Sequence, residues 1–598
     1  MGIGFTADTA VKVSHLGINS VLSLVDDMLL EKLRKFYSEK FSIQYSEISE
    51  KIDDFRAKRI TSYLNLINKI VKDKFEDFKK NLATKSNELI NFLELLPNNS
   101  EIIEKLTVTL RSKVKIDDII KEIDKILSPG DIDVNIMTKI DKENYRDNEK
   151  LPIEYNDAHA AIRGFAKSDL NSSVVLSAGI NPRLYSYMEN FDEFFPDSDG
   201  NISKKIILKV SDYSSALTQG KFLAKKGIWV SEYRIESGLN CGGHAFATPG
   251  LLMGPILQVF KENREELQTS LFEILIESLA AKNRTVPNKI LPIRVTAQGG
   301  VGTAQEHNML LEHYELDSVG WGTPFLLVPE VSNVDEKTLN MLIEAKENDL
   351  YLSEVSPLGV LFNNLRGNTK DLRKIDYVNQ GRPGSYCPKK YLVSDSEFTD
   401  KKICTASRVY QKNKINSLES LNLNRKEYAD KFDEIVNKSC ICVGLGTSAL
   451  LVNDLDTQTE GPEVSVCPGP NLAYFSKKMT LKEMVGHIYG KFDFARADRP
   501  HMFMKELGMY IDYLSNIIKK KLKETSKNEI KYYNKYVENM NEGIEYYKRF
   551  FSSFRNGNER ENALKDLKNH KNALEKLSAV IATYTSEPID KEVVLNYK

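Results

Sequence analysis

The sequence predicts an α/β protein organised on a parallel sheet, and three observations predict it. Between residues 151 and 380, short apolar runs alternate with longer stretches of helical periodicity, the pattern of strands joined by crossover helices. Glycines cluster directly after the last three of these runs. The flanking zones read as helix, so the sheet carries a helical insertion after its first strand and a mostly helical C-terminal extension. At 598 residues the chain is well beyond the roughly 250–300 residues at which a single core stops growing. A closed (β/α)8 barrel and an open doubly wound sheet both bind ligands at the C-terminal ends of their strands, and the periodicity fits either.

Residues 1–26 read as a strand-and-turn opening in which "NSVLSLV" is the first strand. Residues 27–150 read as the helical insertion. Leu29, Leu33 and Phe36 recur at helical spacing, "KIVKDKFEDFKKNL" and "IDDIIKEIDKIL" continue the pattern, and "SPGD" at 128–131 stops it. Within 151–380 the strands are "SVVLSAG", "KKIILKV", "GIWVSEYRI", "ILPIRVTAQGG" and "DSVGWGTPFLLV"; "SSALTQGKFLAKKG" and "LLMGPILQVFKENREELQTSLFEILIESLAAKN" are the helices between them. Residues 381–500 read as an irregular region packed on the sheet. Residues 501–598 return to helix, with Tyr536, Met540, Ile544, Tyr547 and Phe551 on one face, the spacing of a core-packing stripe.

The net charge of −1 gives no global attraction to nucleic acid or to an anionic membrane. The N-terminus lacks the basic and long apolar regions of a signal peptide. "MGIGFT" matches a myristoylation pattern on paper, yet it reads better as part of a buried first strand. No stretch reaches the ~18 apolar residues of a membrane span. With only six cysteines, a disulfide scaffold is not expected, and a reducing, cytoplasmic setting is.

Two turns suggest phosphate chemistry. "AQGGVGTAQEH" runs from Gln298 through Gly299, Gly300 and Gly302 into a helix. Glycines let backbone N–H groups approach an anion, and the helix N-terminus supplies a positive dipole. The next strand ends in "GWGTPF", with Gly322 and Thr323. Tandem turns of this kind form the phosphate site of many barrels. "GGVGTA" is neither a Walker loop nor a dinucleotide G-x-G-x-x-G. One strand earlier, "GLNCGGHAFATPG" places Cys241, Gly242, Gly243 and His244 at the same edge. His244 suits a general acid or base near neutral pH. Gly242 and Gly243 allow close approach to a flat ring, and Cys241 is a nucleophile only where its thiolate is stabilised.

"GLNCGGHAF", "AQGGVGTA" and "SVGWGTPFLLVPE" resemble, in order and spacing, the signature of the nitronate monooxygenase (2-nitropropane dioxygenase-like) family: an EAGGH-type segment, an AAGGI-type loop and an M-GT-x-F-type loop. The resemblance covers residues 1–26 and 151–335. It implies an FMN-binding TIM barrel built from residues 1–26 and 151–380. It implies His244 as catalytic base and Gly299, Gly300, Gly322 and Thr323 on the FMN phosphate, with Gly242, Gly243, Gln298, Gly302 and Trp321 around the cofactor. Asn181, in "SAGINP", stands at a strand end that contacts flavin in the family. Asn240 replaces the family's glutamate, Cys241 its alanine and Trp321 its methionine. Asn240 and Cys241 therefore join His244 in the candidate catalytic set and point to a different substrate.

The reading is an FMN-dependent oxidoreductase acting on a small molecule, with NAD(P)H or molecular oxygen as redox partner. Its alternatives are a flavin enoyl reductase, a glutamate-synthase-like electron-transfer enzyme, and a non-catalytic flavin-binding scaffold whose helical zones recruit a partner or a second copy. Cys387, Cys404, Cys440, Cys442 and Cys467 crowd one region. Thiolates suit zinc or an iron–sulfur cluster, but no C-x2-C spacing occurs, and buried structural thiols are the competing reading. His307 and His313, six apart, fall on opposite helix faces and do not form a metal pair; His307 lies close to the cofactor loop. "ARADRPHMF" at 495–503 borders a pocket or forms a structural loop.

Overall fold

In the computed structural model, residues 3–98, 100–111, 115–138, 140–177, 179–240, 242, 249–521, 526–554 and 557–585 are described. Seven strands form one parallel sheet: β1 (Ser20–Ser23), β2 (Ile132–Ile136), β3 (Ser172–Leu176), β4 (Lys204–Val210), β5 (Val230–Glu236), β6 (Arg294–Gln298) and β7 (Ser318–Gly320). Their spatial order is their chain order. There is no reversal, and so no doubly wound switch point. Right-handed crossovers that each advance one place put their helices on one side of the sheet, and the sheet curls away from them. An eighth strand closing β7 onto β1 is absent among the described residues.

The two faces differ in chemistry. Ile206, Leu208, Val210, Tyr233, Ile235, Val295 and Ala297 point toward the helices and join the main core. The alternate positions, on the concave face, hold Lys209, Glu232, Arg234, Glu236, Thr296 and Gln298. Parallel sheets covered on both faces are usually apolar throughout, so these groups must be paired. Glu232, buried, accepts hydrogen bonds from Arg234 Nε (2.8 Å) and Thr296 Oγ1 (2.6 Å).

Several sequence boundaries shift. β2 lies inside the zone assigned to the helical insertion and pairs with β1 and β3. Its Asp133 and Asn135 face inward, and this alternation broke the apolar run that marks a parallel strand. The insertion is not a separate unit, because its longest helix, Phe55–Thr84, buries Ile60, Tyr63, Ile67 and Val71 in the main core. Residues 3–16, expected as strand and turn, contain a helix at Thr9–Val13 and a 3-10 turn at Ser14–Leu16 before β1 begins. That segment is wedged beside β7's continuation. Asn333 N donates to Phe5 O (2.8 Å), Asn333 Nδ2 to Asp8 Oδ1 (2.7 Å), and Thr9 Oγ1 to Val331 O (2.7 Å).

The region 381–500 is more ordered than expected, with helices Arg408–Glu419, Arg425–Val436, Ile441–Val452 and Leu481–Ile488. It shares a second apolar cluster with residues on both sides of 380 and with Phe5, so no domain boundary falls there. The "DSVGWGTPFLLV" segment is strand only to Gly320 and then turns into a 3-10 helix, Thr323–Leu327. Among the described residues no single helix is long and apolar enough to cross a membrane.

The C-terminal helix Gly557–Thr585 packs on both Met502–Lys521 and Lys527–Ser552, and Lys527–Ser552 lies against the helix Met253–Ala281. The expected stripe is their contact face: Tyr536, Met540, Ile544, Tyr547 and Phe551 are all at most 1% exposed. Phe551→Ala is expected to destabilise the fold by about 3–5 kcal/mol, read as a lower urea midpoint of the helical signal. An unchanged midpoint would mean that this stripe holds nothing together.

Candidate functional site

β6 and β7 are adjacent and in register, Gln298 opposite Gly320. Both end on the same rim, so the two glycine turns leave side by side. Gly299 and Gly300 have φ of +108° and +85°, values that side chains other than glycine rarely adopt. A Cβ on Gly300 would also sit 2.6 Å from Leu239 Cδ1. The chain then enters the helix Ala304–Glu312, capped by Thr303 Oγ1, which accepts from Glu306 N (3.2 Å). Gly300, Val301 and Thr323 are buried. Among the described residues, their backbone N–H groups meet no acceptor. Buried N–H groups are nearly always paired, so these three are the free donors that a ligand at this rim could use.

A clamp from distant sequence fixes the loop. Arg499 NH2 donates to Gly300 O (2.6 Å), Asn471 Nδ2 to Val301 O (2.9 Å), and the His487 ring bonds Gly302 O through Nε2 (2.9 Å). In a trans peptide the C=O of one residue and the N–H of the next point in opposite directions. Holding Gly300 O outward therefore turns Val301 N–H to the other side. Arg499 also donates to Asn471 Oδ1 (2.7 Å) and Glu306 Oε1 (2.8 Å), so it ties the loop to two further side chains.

Glu306 caps the same turn, its Oε2 accepting from Gly302 N (2.9 Å) and Oε1 from Met502 N (2.7 Å). Burial alone would raise its carboxyl. The Arg499 charge, the neighbouring His501 and these hydrogen bonds outweigh that and hold it below the usual range. The stabilisation is full above the ordinary carboxylate pKa and is lost as pH falls through the depressed value. Arg499→Met leaves a buried carboxylate unpaired and is expected to cost about 3–5 kcal/mol, measured by thermal denaturation at neutral pH. The pair Glu306→Gln with Arg499→Met should recover part of that loss; a loss no smaller in the double variant would contradict the pairing.

A second polar group lies at the end of β5. Glu236 Oε1 accepts from Asn240 Nδ2 (2.7 Å) and from Gln298 Nε2, and Lys209 Nζ lies 3.3 Å away. Asn240 O accepts from Asn363 Nδ2 (3.3 Å). Three sequence-distant side chains, Lys209, Gln298 and Asn363, thus converge with the nearby Asn240 on one carboxylate or its loop. Gly242 has φ of +139°. Cys241, Gly243 and His244 lie outside the described residues.

Trp321 and Asn181 each have protein partners. Trp321 Nε1 donates to His307 Nδ1 (3.0 Å), and its ring meets His487 edge-on. Asn181 caps the helix Pro182–Tyr187 through Oδ1 (3.1 Å to Leu184 N) and donates to Thr138 O (2.8 Å). Its amide ties together the ends of β2 and β3.

Glu506 had no sequence signal beyond a place in an amphipathic helix. It is buried at the start of the same rim, accepting from Ser237 Oγ (2.8 Å), Met253 N (2.9 Å) and Tyr547 OH (3.4 Å). Burial pushes its carboxyl up to about 7 against those three bonds. A carboxyl raised in the fold binds more protons there than when unfolded, so stability falls as pH rises from about 4.5 to 7. Glu506→Gln should flatten that part of the stability profile; an identical slope in the variant would place the titration elsewhere.

Cys387, Cys404, Cys440 and Cys442 come together, and Cys467 is buried in the same apolar cluster. None is in a disulfide. Among the described residues no group of three or more His, Cys, Asp or Glu side chains is arranged to hold a metal ion.

No known family profile matches the chain, and no curated protein matches it. Among solved structures, it is similar to the enoyl reductase domain of MlnA from the macrolactin biosynthesis cluster of Bacillus amyloliquefaciens. The likeness covers 64% of this chain and 86% of that one, with a TM-score of 0.32 and 15% identity.

Proposed function

We propose that the chain is an FMN-dependent oxidoreductase of the nitronate monooxygenase type, its curled sheet the greater part of a (β/α)8 barrel. The observation that carries this is the pair of glycine turns on adjacent strand ends, with buried N–H groups that meet no acceptor among the described residues. The residues fit the phosphate of such a cofactor. Backbone N–H groups of Gly300, Val301, Gly322 and Thr323 would hold it, with the N-terminus of the Ala304–Glu312 helix adding its dipole. Bound there, FMN supplies electron transfer.

The chain's own residues supply position and proton. The clamp through Arg499, Asn471 and His487 keeps the loop carbonyls away from the anion. Gln298 and Asn240, both donating to Glu236, form a polar wall on the substrate side. His244 is the proposed base, taking a proton from an acidic carbon of the substrate, with NAD(P)H or oxygen as the redox partner. Asn240, tied to Glu236, replaces a carboxylate with a neutral amide there and favours a substrate other than a simple nitronate.

Purified protein is expected to be yellow and to release FMN on denaturation. Protein that is colourless and takes up no added FMN would overturn the reading. His244→Ala is expected to keep the flavin and lose turnover by about 10²–10⁴-fold, the usual contribution of a general base; undiminished turnover would remove His244 from the mechanism.

A further inference from the structure

A cavity of about 1490 Å³ opens near the C-terminal ends of β1 and β2, away from the glycine turns, and both Cys387 and Cys404 line it. Cys387 is half-buried, whereas Cys404, Cys440 and Cys442 are at most 3% exposed. Cys387 neighbours Cys404 and Cys440 closely enough for the three thiols to act on one another electrostatically. Short bridges hold the two cavity thiols together: Ser385 pairs with Ser407, and Asp395 with Ile403. Cys440 is the N-cap of the helix Ile441–Val452, whose positive end therefore faces the cluster. Lys390, Lys401, Lys402 and Lys412 line the same cavity, and although carboxylates such as Asp141, Glu143 and Asp400 line it too, cations outnumber them.

We propose that Cys387 and Cys404 are a redox-active dithiol that opens on this cavity and is oxidised by an anionic small-molecule disulfide. Cys387 is the attacking sulfur, since it is the member of the cluster that solvent reaches. Hydrogen bonds from Cys404 first, then Cys440, together with the Lys390 backbone N–H and charge, outweigh burial and hold its thiol well below the ordinary range. The same contacts push Cys404 up. A reactive cysteine needs such a partly exposed, electropositive setting, whereas structural thiols lack one.

The step balances as thiol–disulfide exchange. The Cys387 thiolate attacks one sulfur of the disulfide, its S–S bond breaks, and the first thiolate leaves and is protonated. Cys404 then gives up its proton and attacks Cys387 Sγ, which expels the second thiolate. Two protein thiols are oxidised to one disulfide, and the small disulfide is reduced to two thiols. The lysines match a disulfide that carries carboxylates.

The test uses the full chain and glutathione disulfide as probe, with alkylation and peptide mass spectrometry. The wild type should lose two titratable thiols and gain a Cys387–Cys404 link. Cys404→Ser should accumulate a glutathione adduct on Cys387, Cys387→Ser should not react, and Cys440→Ser should still form the Cys387–Cys404 link, at a lower rate because Cys387 loses one of its partners. In the unmodified protein, iodoacetamide should label Cys387 at least ~10-fold faster than Cys467, as thiolate character and exposure require. Equal labelling of those two cysteines, a disulfide that excludes Cys387, or thiols that react only after stoichiometric zinc or iron is stripped away would each overturn the proposal.

Discussion

Every crossover in the sheet advances one place in the same direction. That constraint sends all seven C-terminal strand ends to one rim, with the crossover helices on one side. The rim gathers the glycine turns after β6 and β7, the Glu236 group after β5, and Asp26 and Asp27 after β1. Asp26 in turn anchors the thiol segment, since Lys389 and Tyr391 both donate to it. Chain segments hundreds of residues apart therefore meet at one edge without any of them being close in sequence.

The concave face adds a second constraint. Its carboxylates and cations must satisfy one another, because the strands carry few apolar groups inward. Glu232 and Arg234 do so within β5. Asp133 on β2 is less well matched, and burial pushes its carboxyl up to about 6 despite the Ser173 hydrogen bond and the Arg234 charge. A polar lining of this kind favours a water-accessible mouth over an apolar plug.

What was legible in the sequence followed local rules. "KKIILKV" became β4 residue for residue, the aromatic stripe at Tyr536–Phe551 became a buried face, and "SPGD" ended the helical run before β2. What was illegible depended on contacts across the chain. Ile132–Ile136 alternates apolar and polar residues because its inner face is polar, so it lacked the continuous run of a buried parallel strand. Arg499 and Glu306 are 193 residues apart, and nothing local to "ARADRPHMF" names the loop it clamps. Motif position names Trp321 and Asn181 but not their partners, a histidine acceptor for the indole and a helix start for the asparagine. The cysteines lacked a chelate spacing, and their grouping arises from the fold around "SYCPKK" and the start of the Ile441–Val452 helix.

If the two glycine turns hold a phosphate, equilibrium titration with FMN and with riboflavin, which lacks the phosphate, separates the two ligands. Charge-assisted hydrogen bonds contribute roughly 1.5–3 kcal/mol each, so FMN is predicted to bind at least ~100-fold more tightly than riboflavin. Equal affinity for the two, or no affinity for either, would contradict the account.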